Sequence, residues 1–589
     1  MKGTTMARQR SRSAAAATRL RVCFLAVAII LSLFAGRLFQ LQGIDSGAYA
    51  AMAVEQGSKK VPLPAARGEI LDRNGIALAK SVEAVAVTAD PSITARHATK
   101  IAEVLVGKLD LDYFDTLQRL SQADLRFVYL AHKVPTWKAT KVVNALQAAG
   151  LSAGVYTERD PLRTYPGDAL AANVLGLVGS NGGGAAGLEQ TYQSTLAGTD
   201  GSATYELSPD GERIPLADST VTEPVDGTSL RTTLDRDLQW YADRRLSQAV
   251  TETGSGWGVA VTMDVQTGQV LQLSQVPTFD ANDPASISPS SINARGVQIV
   301  YEPGSVQKVM TMAAIADQGL VNPTTKVVVP PSLTIDDFEI SDSSDHGTIH
   351  LTATGVISKS SNLGTILLAK QLSDSKLHSY LRSFGFGTET EIGLPGESGG
   401  ILNPPTTWSD ANHATIAFGQ GISVTAVQMA AAVGTIANGG TYVQPTLVQE
   451  FIAPGGQVEA APAARTHRVV SEGAAAEVTE MMEAVTRDDG TAPLAQIPGY
   501  RVAGKTGTAW RVDPETGRYV RGENTVSFVG FAPADEPRFV TYVVLDNPTT
   551  DASGGSSAAP VFQDVISMAL ERYGVPPTGA KAPNTKTEW

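Results

Sequence analysis

Ser305 and Lys308, in "YEPGSVQKVM" (residues 301–310), stand three apart directly after Pro303 and Gly304. A serine nucleophile needs a base within hydrogen-bond reach, and an amine can be that base once it has lost its proton. Pro303 and Gly304 suit the loop before a helix, which puts Ser305 near a helix N-terminus with Lys308 on the same face. Backbone N–H groups there favour developing negative charge. Lysine is almost wholly protonated at neutral pH, so the chemistry requires partial burial and a second cation nearby. Alone the pair says little: Ser373 and Lys376 repeat the spacing in a polar helix-end stretch.

Two downstream clusters supply what the pair lacks. "SKSSNLGT" places Ser360 and Asn362 inside an otherwise apolar segment, where polar groups must find hydrogen bonds. Ser360 is a candidate proton relay to a leaving group, and the Asn362 amide a candidate to orient Lys308 and a substrate amide. The competing reading is a helix cap, and Ser291 with Asn293 repeats the pattern without the setting. "VAGKTGTAW" holds the one K-T-G of the chain, Lys505-Thr506-Gly507 followed by Thr508. Lys505 would be the second cation and would attract a substrate carboxylate, to which Thr506 and Thr508 offer hydroxyls. Gly507 would let a bound chain approach the strand closely. The competing reading here is an exposed edge strand.

The elements that must position these residues follow from pattern. Residues 67–81 read as a hairpin around Asn74-Gly75, residues 99–106 and 137–150 as helices, and 201–226 as a polar connector between two domains. A helix over 234–250 precedes a hairpin, "WGVAVTMDV" and "VLQLSQV" across "QTGQ". Helical stretches follow at 305–318, 353–372 and 424–438. Strands return with "RVAGKTGTAW", "TVSFVGFAP" and "RFVTYVVLDN". A last helix, 559–574, precedes a polar tail at 576–589. Strands at both ends of a helical middle predict an α+β fold, one antiparallel sheet covered by helical layers.

Composition sets the class. The 589 residues are 42% hydrophobic and 18% charged, enough for more than one domain, and the net charge of −13 argues against nucleic acid. No acidic residue precedes Asp45, whereas Lys2, Arg8, Arg10, Arg12, Arg19 and Arg21 are basic. The uncharged run 22–36, continued through Leu38 and Phe39 with Arg37 snorkelling, is long enough to span a membrane. A cleaved signal peptide is the rival reading, but the nearby A-x-A, Ala48-Tyr49-Ala50, lies well beyond the apolar run. An uncleaved anchor with a cytoplasmic N-terminus follows from the positive-inside rule. The single cysteine, Cys23, falls in that span and reads as a small hydrophobe, so the exported body has no disulfide. The seven histidines form no H-E-x-x-H, and His346 and His350 read as a polar loop entering a strand, so neither metal nor cofactor is expected.

In this order, S-x-x-K, S-x-N and K-T-G resemble the set of the active-site serine transpeptidases, the penicillin-binding proteins and serine β-lactamases. "RGEILDRNG", "GLEQTY", "DVQTGQVLQLSQVPTFDAND", "AFGQGISVT", "GYRVAGKTGTA" and "SFVGFAP" extend the likeness to class B penicillin-binding proteins over nearly the whole exported chain. One departure is Ala294-Arg295-Gly296-Val297, where that family commonly has Asn-Arg-Ala-Val.

The resemblance implies the penicillin-binding transpeptidase fold on an elongated pedestal. Its boundaries would be a leader at 1–21, an anchor at 22–42, the pedestal at 43–215, the transpeptidase domain at 216–575 and the tail beyond. It implies Ser305 as nucleophile, Lys308 as base, Ser360 as proton relay and Asn362 and Lys505 as supporting groups. The backbone N–H groups of Ser305 and Thr508 would form the oxyanion hole, and Thr506, Gly507 and Thr508 would bind substrate or β-lactam. The implied reaction is cross-linking of peptidoglycan stem peptides at the division septum. A polytopic glycan polymerase and other division proteins are the implied partners. The alternatives are an elongation-type transpeptidase, a D,D-carboxypeptidase or other hydrolase, a non-catalytic division scaffold and a β-lactam-binding sensor.

Overall fold

The computed structural model describes residues 6–44, 58–206, 220–513 and 516–589. The chain forms two compact units, Met1–Ala65 with Thr199–Val225, and Ala66–Gly198 with Asp226–Trp589.

In the first unit, helix α1 (Met6–Phe39) runs on into a π-helical turn, Gln40–Ile44. Its stretch Ala16–Ile44 is long and apolar enough to cross a membrane, about 43 Å at 1.5 Å per residue. Cys23 is a free thiol on the outside of this helix. The helix takes in part of the basic leader as well as the apolar run, since Arg and Ala both favour helix. Strands Ser58–Leu63, Gly201–Glu206 and Thr220–Thr222 pair antiparallel, with Gly201–Glu206 in the middle. The ends of the expected connector are therefore strands. Residues 207–219 of that connector, and the tripeptide at 48–50, lie outside the described residues.

The second unit holds two hydrophobic clusters. The smaller packs helices Ala98–Leu109 and Thr136–Ala148 on a three-stranded sheet with Ala84–Ala89 at its centre, burying Ile101, Leu105, Val142 and Leu146. The 67–81 hairpin forms as expected, Ile70–Leu71 pairing with Ala77–Val82. It belongs to a six-stranded sheet that also takes in Ser229–Thr232 and Val448–Ile452. Here "RGEILDRNG" meets "GLEQTY": the Arg67 and Arg163 guanidiniums hold the carboxylate of Glu189, which is wholly buried, at 2.5 and 2.7 Å.

The larger cluster is built on five antiparallel strands. These are β1 (Trp257–Asp264), β2 (Val270–Val276), β3 (Ala503–Val512), β4 (Tyr519–Ala532) and β5 (Phe539–Asp546), in the spatial order β2-β1-β5-β4-β3. Side chains alternate between the faces. On one face Leu545 packs beside helix α2 (Arg236–Thr253), and Phe539 meets Tyr573 just past helix α9 (Ala559–Arg572). On the other face Val540 meets Gly434 of helix α7 (Ala426–Ala437), all of whose residues are buried. Helix α3 (Lys308–Asp317) is apolar all round except for Lys308, Thr311 and Asp317, and all but Asp317 are buried. A helix without a polar face must sit inside the core.

Two expected helices differ in form. The stretch 305–318 begins as a 3₁₀ turn, Gly304–Gln307, before α3. The stretch 353–372 is two helices, α4 (Ala353–Ser358) and α5 (Asn362–Ala369), broken by the polar cluster itself. Two more helices complete this layer, α6 (Asp410–Phe418) and α8 (Glu472–Glu483). In the expected polar tail, residues 586–589 lie against the segment around 350–359, and Pro583 and Thr585 against Arg487 and Glu480.

Candidate active site

Ser305 lies in the 3₁₀ turn, where residues three apart eclipse one another, so Lys308 follows it on one line rather than one helical face. Gly304 has φ 54°, and a Cβ there would lie 2.6 Å from the Thr508 carbonyl oxygen. The turn is thereby held flush against edge strand β3. Gly304 N–H donates to Gly419 O at 3.0 Å, and Tyr301 and Val424 exchange backbone hydrogen bonds, fixing the turn from its other side. Gly507 serves packing within the protein: a Cβ there would meet Ser527 Oγ at 2.3 Å and Val306 at 2.9 Å.

Ser360 ends the break between α4 and α5 with φ 59°, a left-handed conformation that costs a non-glycine residue about 1–2 kcal/mol. The turn aims both its carbonyl and its hydroxyl inward. Lys308 Nζ donates to Ser360 O at 2.5 Å and Asn362 Oδ1 at 2.7 Å, with Ser360 Oγ at 3.3 Å. Lys505 Nζ donates to the same Ser360 Oγ at 2.9 Å and to Thr506 O at 3.0 Å. Thr506 Oγ1 lies 3.1 Å from Thr491 Oγ1, and Thr508 is exposed beside the turn. Ser305, Lys308, Ser360, Asn362, Lys505, Thr506, Gly507 and Thr508 thus come from three separate segments to one place. Among the described residues, no hydrogen bond joins Ser305 Oγ to Lys308.

Both lysines are wholly buried. Burial lowers the pKa of Lys308 to about 7, against the opposing pull of the Asp342 carboxylate. Burial, and next the neighbouring Lys308, push Lys505 well below the ordinary lysine value. Of the two expected causes, burial is the one that lowers Lys308; Lys505 as a second cation is not among the causes acting on it. A neutral Lys308 amine has two N–H bonds, which the Ser360 carbonyl and Asn362 oxygen take up. Its lone pair is left to accept a proton.

Several contributors carry no signal in spacing. Asp342 caps α5: its carboxylate accepts from the N–H of Asn362 (2.5 Å) and Leu363 (3.0 Å) and from Ser361 Oγ (2.7 Å). His346 Nε2 lies 3.0 Å from it, and the Gly347 carbonyl together with Asp342 raises the imidazole pKa. Ser361 is the N-cap of α5, accepting from Gly364 N, so the helix-cap reading of the cluster holds for Ser361. At the rim, Glu302 accepts from Gly421 N–H (2.8 Å) and Tyr519 OH (3.0 Å), and Tyr519 stands edge-on to the exposed Trp510. His350 lies in the strand Ile349–Thr352, as expected. Beside the departure at 294–297, the backbone carbonyl of Asn293 accepts from the Gln275 and Asn173 side chains, contacts open to any residue type at 293.

The family model of the penicillin-binding protein transpeptidase domain matches residues 258–567, and that of the penicillin-binding protein dimerisation domain residues 62–232. Penicillin-binding protein PbpB of Mycolicibacterium smegmatis is 35% identical over 96% of this chain and 92% of its own. Peptidoglycan D,D-transpeptidase FtsI of Escherichia coli is 30% identical, over 94% and 91%. A crystal structure of penicillin-binding protein 3 from Mycobacterium tuberculosis complexed with aztreonam aligns with a TM-score of 0.70 at 32% identity, covering 90% of this chain and 100% of that one. With more than half its length matched by the transpeptidase model and its motifs gathered at one site, the chain belongs to the class B penicillin-binding proteins.

Proposed function

We propose that this protein is a serine D,D-transpeptidase that cross-links peptidoglycan stem peptides during septal wall synthesis and is acylated by β-lactams. The observation that carries the reading is the buried Lys308 amine, its N–H bonds taken by Ser360 and Asn362, three residues from Ser305. The relatives called penicillin-binding protein PbpB and peptidoglycan D,D-transpeptidase FtsI support the reaction class, and the septal role is in keeping with them.

In the proposed chemistry, Lys308 takes the Ser305 hydroxyl proton as Oγ attacks the carbonyl of the penultimate D-alanine. The oxyanion is held by the backbone N–H groups of Ser305 and Thr508, each such donor contributing about 3–4 kcal/mol in comparable sites. Ser360, between Lys308 and Lys505, passes a proton to the departing D-alanine nitrogen as the C–N bond breaks. A neighbouring stem's amine then attacks the acyl ester, giving up its proton to the base and returning Ser305 Oγ–H. Asn362 orients Lys308, while Lys505, Thr506, Gly507 and Thr508 receive the terminal carboxylate.

Residues 1–21 would lie in the cytoplasm, 22–42 in the membrane, and the pedestal (43–215) and transpeptidase domain (216–575) outside. A polytopic glycan polymerase and other division proteins would be its partners. Intact mass of the full chain in detergent, with and without a penicillin, tests the reading beside Ser305→Ala. A stable adduct lost in the variant, with transfer of a stem-peptide thioester to a D-amino acid acceptor, is expected. An adduct that clears as penicillin is hydrolysed, or none at all, would overturn it.

A further inference from the structure

Residues 583–589, "PNTKTEW", run back over the helical side of the second unit and finish along 350–352. Arg487 holds the carbonyls of Pro583 (2.5 Å) and Thr585 (2.9 Å), and Thr585 Oγ1 donates to Glu480 at the C-terminal end of α8. Thr352, the N-cap of α4, donates its N–H to Thr587 O (3.0 Å) and its hydroxyl to Lys586 O (2.7 Å). Glu588 bridges Leu351 in the manner of an added antiparallel strand. Trp589 donates its backbone N–H to His350 O (3.2 Å) and its indole N–H to Leu351 O (3.0 Å), with Lys326 Nζ 4.4 Å over its ring.

Two contacts carry this packing toward the site. A Cβ on Gly355 would lie 1.9 Å from Thr587 O, so the segment and the first turn of α4 meet backbone to backbone. Lys359, the residue before Ser360, pairs with Glu588 at 2.8 Å. Helix α4 is therefore held at its start by Lys586 and Thr587, has the exposed Lys359–Glu588 pair just past its end, and also packs on α8. The end it delivers is the left-handed Ser360 turn, whose carbonyl and hydroxyl both reach Lys308 and whose hydroxyl also receives Lys505.

We infer that residues 583–589 are a positioning strap for the Ser360 turn, setting the rate at which Ser305 is acylated without touching the ligand. Seated, the strap holds α4 at the depth where Ser360 meets both lysines. Unseated, α4 shifts and Lys308 loses its orientation, while the pocket formed by β3 and the 3₁₀ turn still binds. The inference rests on the transpeptidase reading above.

The test uses the full chain in detergent, the same chain lacking 583–589, and Gly355→Ala. Alanine favours helix over glycine, so Gly355→Ala should strengthen α4 while its methyl group evicts Thr587. Acylation by a fluorescent penicillin is resolved into a dissociation constant and a first-order acylation constant. Expected is a fall of about tenfold or more in the first-order constant of both variants, with the dissociation constant and Tm little changed. The peptide PNTKTEW, added to the deletion chain, should restore its rate in a saturable way and should leave Gly355→Ala unimproved. An unchanged first-order constant in both variants overturns the strap. A rate lost only together with Tm and not restored by the peptide reduces it to ordinary packing, and so also overturns it. Failure of the intact chain to acylate at all would instead sink the transpeptidase reading.

Discussion

Lys308 shows how burial selects a protonation state. An ammonium in this position would be desolvated, and its strongest partners, the Ser360 carbonyl and the Asn362 oxygen, can be served by a neutral amine. With its pKa near 7, the acylation constant should rise between pH 6 and 8 with a midpoint close to that value, as stopped-flow penicillin binding would record. Asp342 works in the opposite direction, so Asp342→Asn should move the midpoint to lower pH; an upward move would refute the assigned sign. Lys308→Met should abolish acylation with the fold retained. Its effect on stability has a definite pH trend. The folded pKa of Lys308 lies below its unfolded value of about 10.4, so the unfolded chain binds more protons between the two. Wild-type stability therefore rises as pH climbs from about 7 towards 10, and the whole cost of burying the lysine is present below 7. The Tm of Lys308→Met relative to wild type should accordingly be more favourable at pH 6 than at pH 9.

At the scale of elements, the site exists because three backbone segments come closer than side chains would allow. Strand β3 lies on the 3₁₀ turn at Gly507, with Ser527 Oγ and Val306 filling the space a Cβ would need. Gly507→Ala should therefore cost about 1–3 kcal/mol through overpacking, and acylation should slow because Thr508 is carried away from Ser305. Thermal unfolding and acylation rate measured on one preparation check it; a variant with unchanged Tm would mean that β3 gives way freely. Helix α5 relies on its caps, Ser361 from within and Asp342 from outside. Ser361→Ala should cost about 1 kcal/mol. It should also slow acylation more than it changes penicillin affinity, since Asn362 is the first residue of the helix.

For the whole molecule, the buried Arg67–Glu189–Arg163 cluster ties the 67–81 hairpin to the short helix Gly187–Thr191 and to strand Leu162–Thr164. A buried ion pair adds little over an apolar filling, but removing one partner strands the other charges. Glu189→Ala leaves two guanidiniums without their carboxylate and should cost about 3–5 kcal/mol. Limited proteolysis should then cut within the 66–198 region before the transpeptidase core is attacked, a pattern that uniform resistance would contradict.

Much of this was legible in the chain as written. Ser305, Lys308, Ser360, Asn362 and Lys505 announce themselves by spacing because one turn or one strand places each motif's members relative to one another. The sheet strands and core helices follow from period-2 and all-round apolar patterns, and the apolar run after a basic leader marks the long N-terminal helix. Contacts between segments far apart in sequence are another matter. The left-handed backbone at Ser360, the cap from Asp342, the strands at both ends of the expected connector, and the seating of 583–589 on α4 have no local signature. The same holds for the pKa of Lys308: its depression comes chiefly from desolvation, and burial belongs to the packed interior as a whole rather than to any neighbouring residue type. Local spacing determined which groups could react. Only tertiary packing decided which of them lost water, and with it the proton that a base must lack.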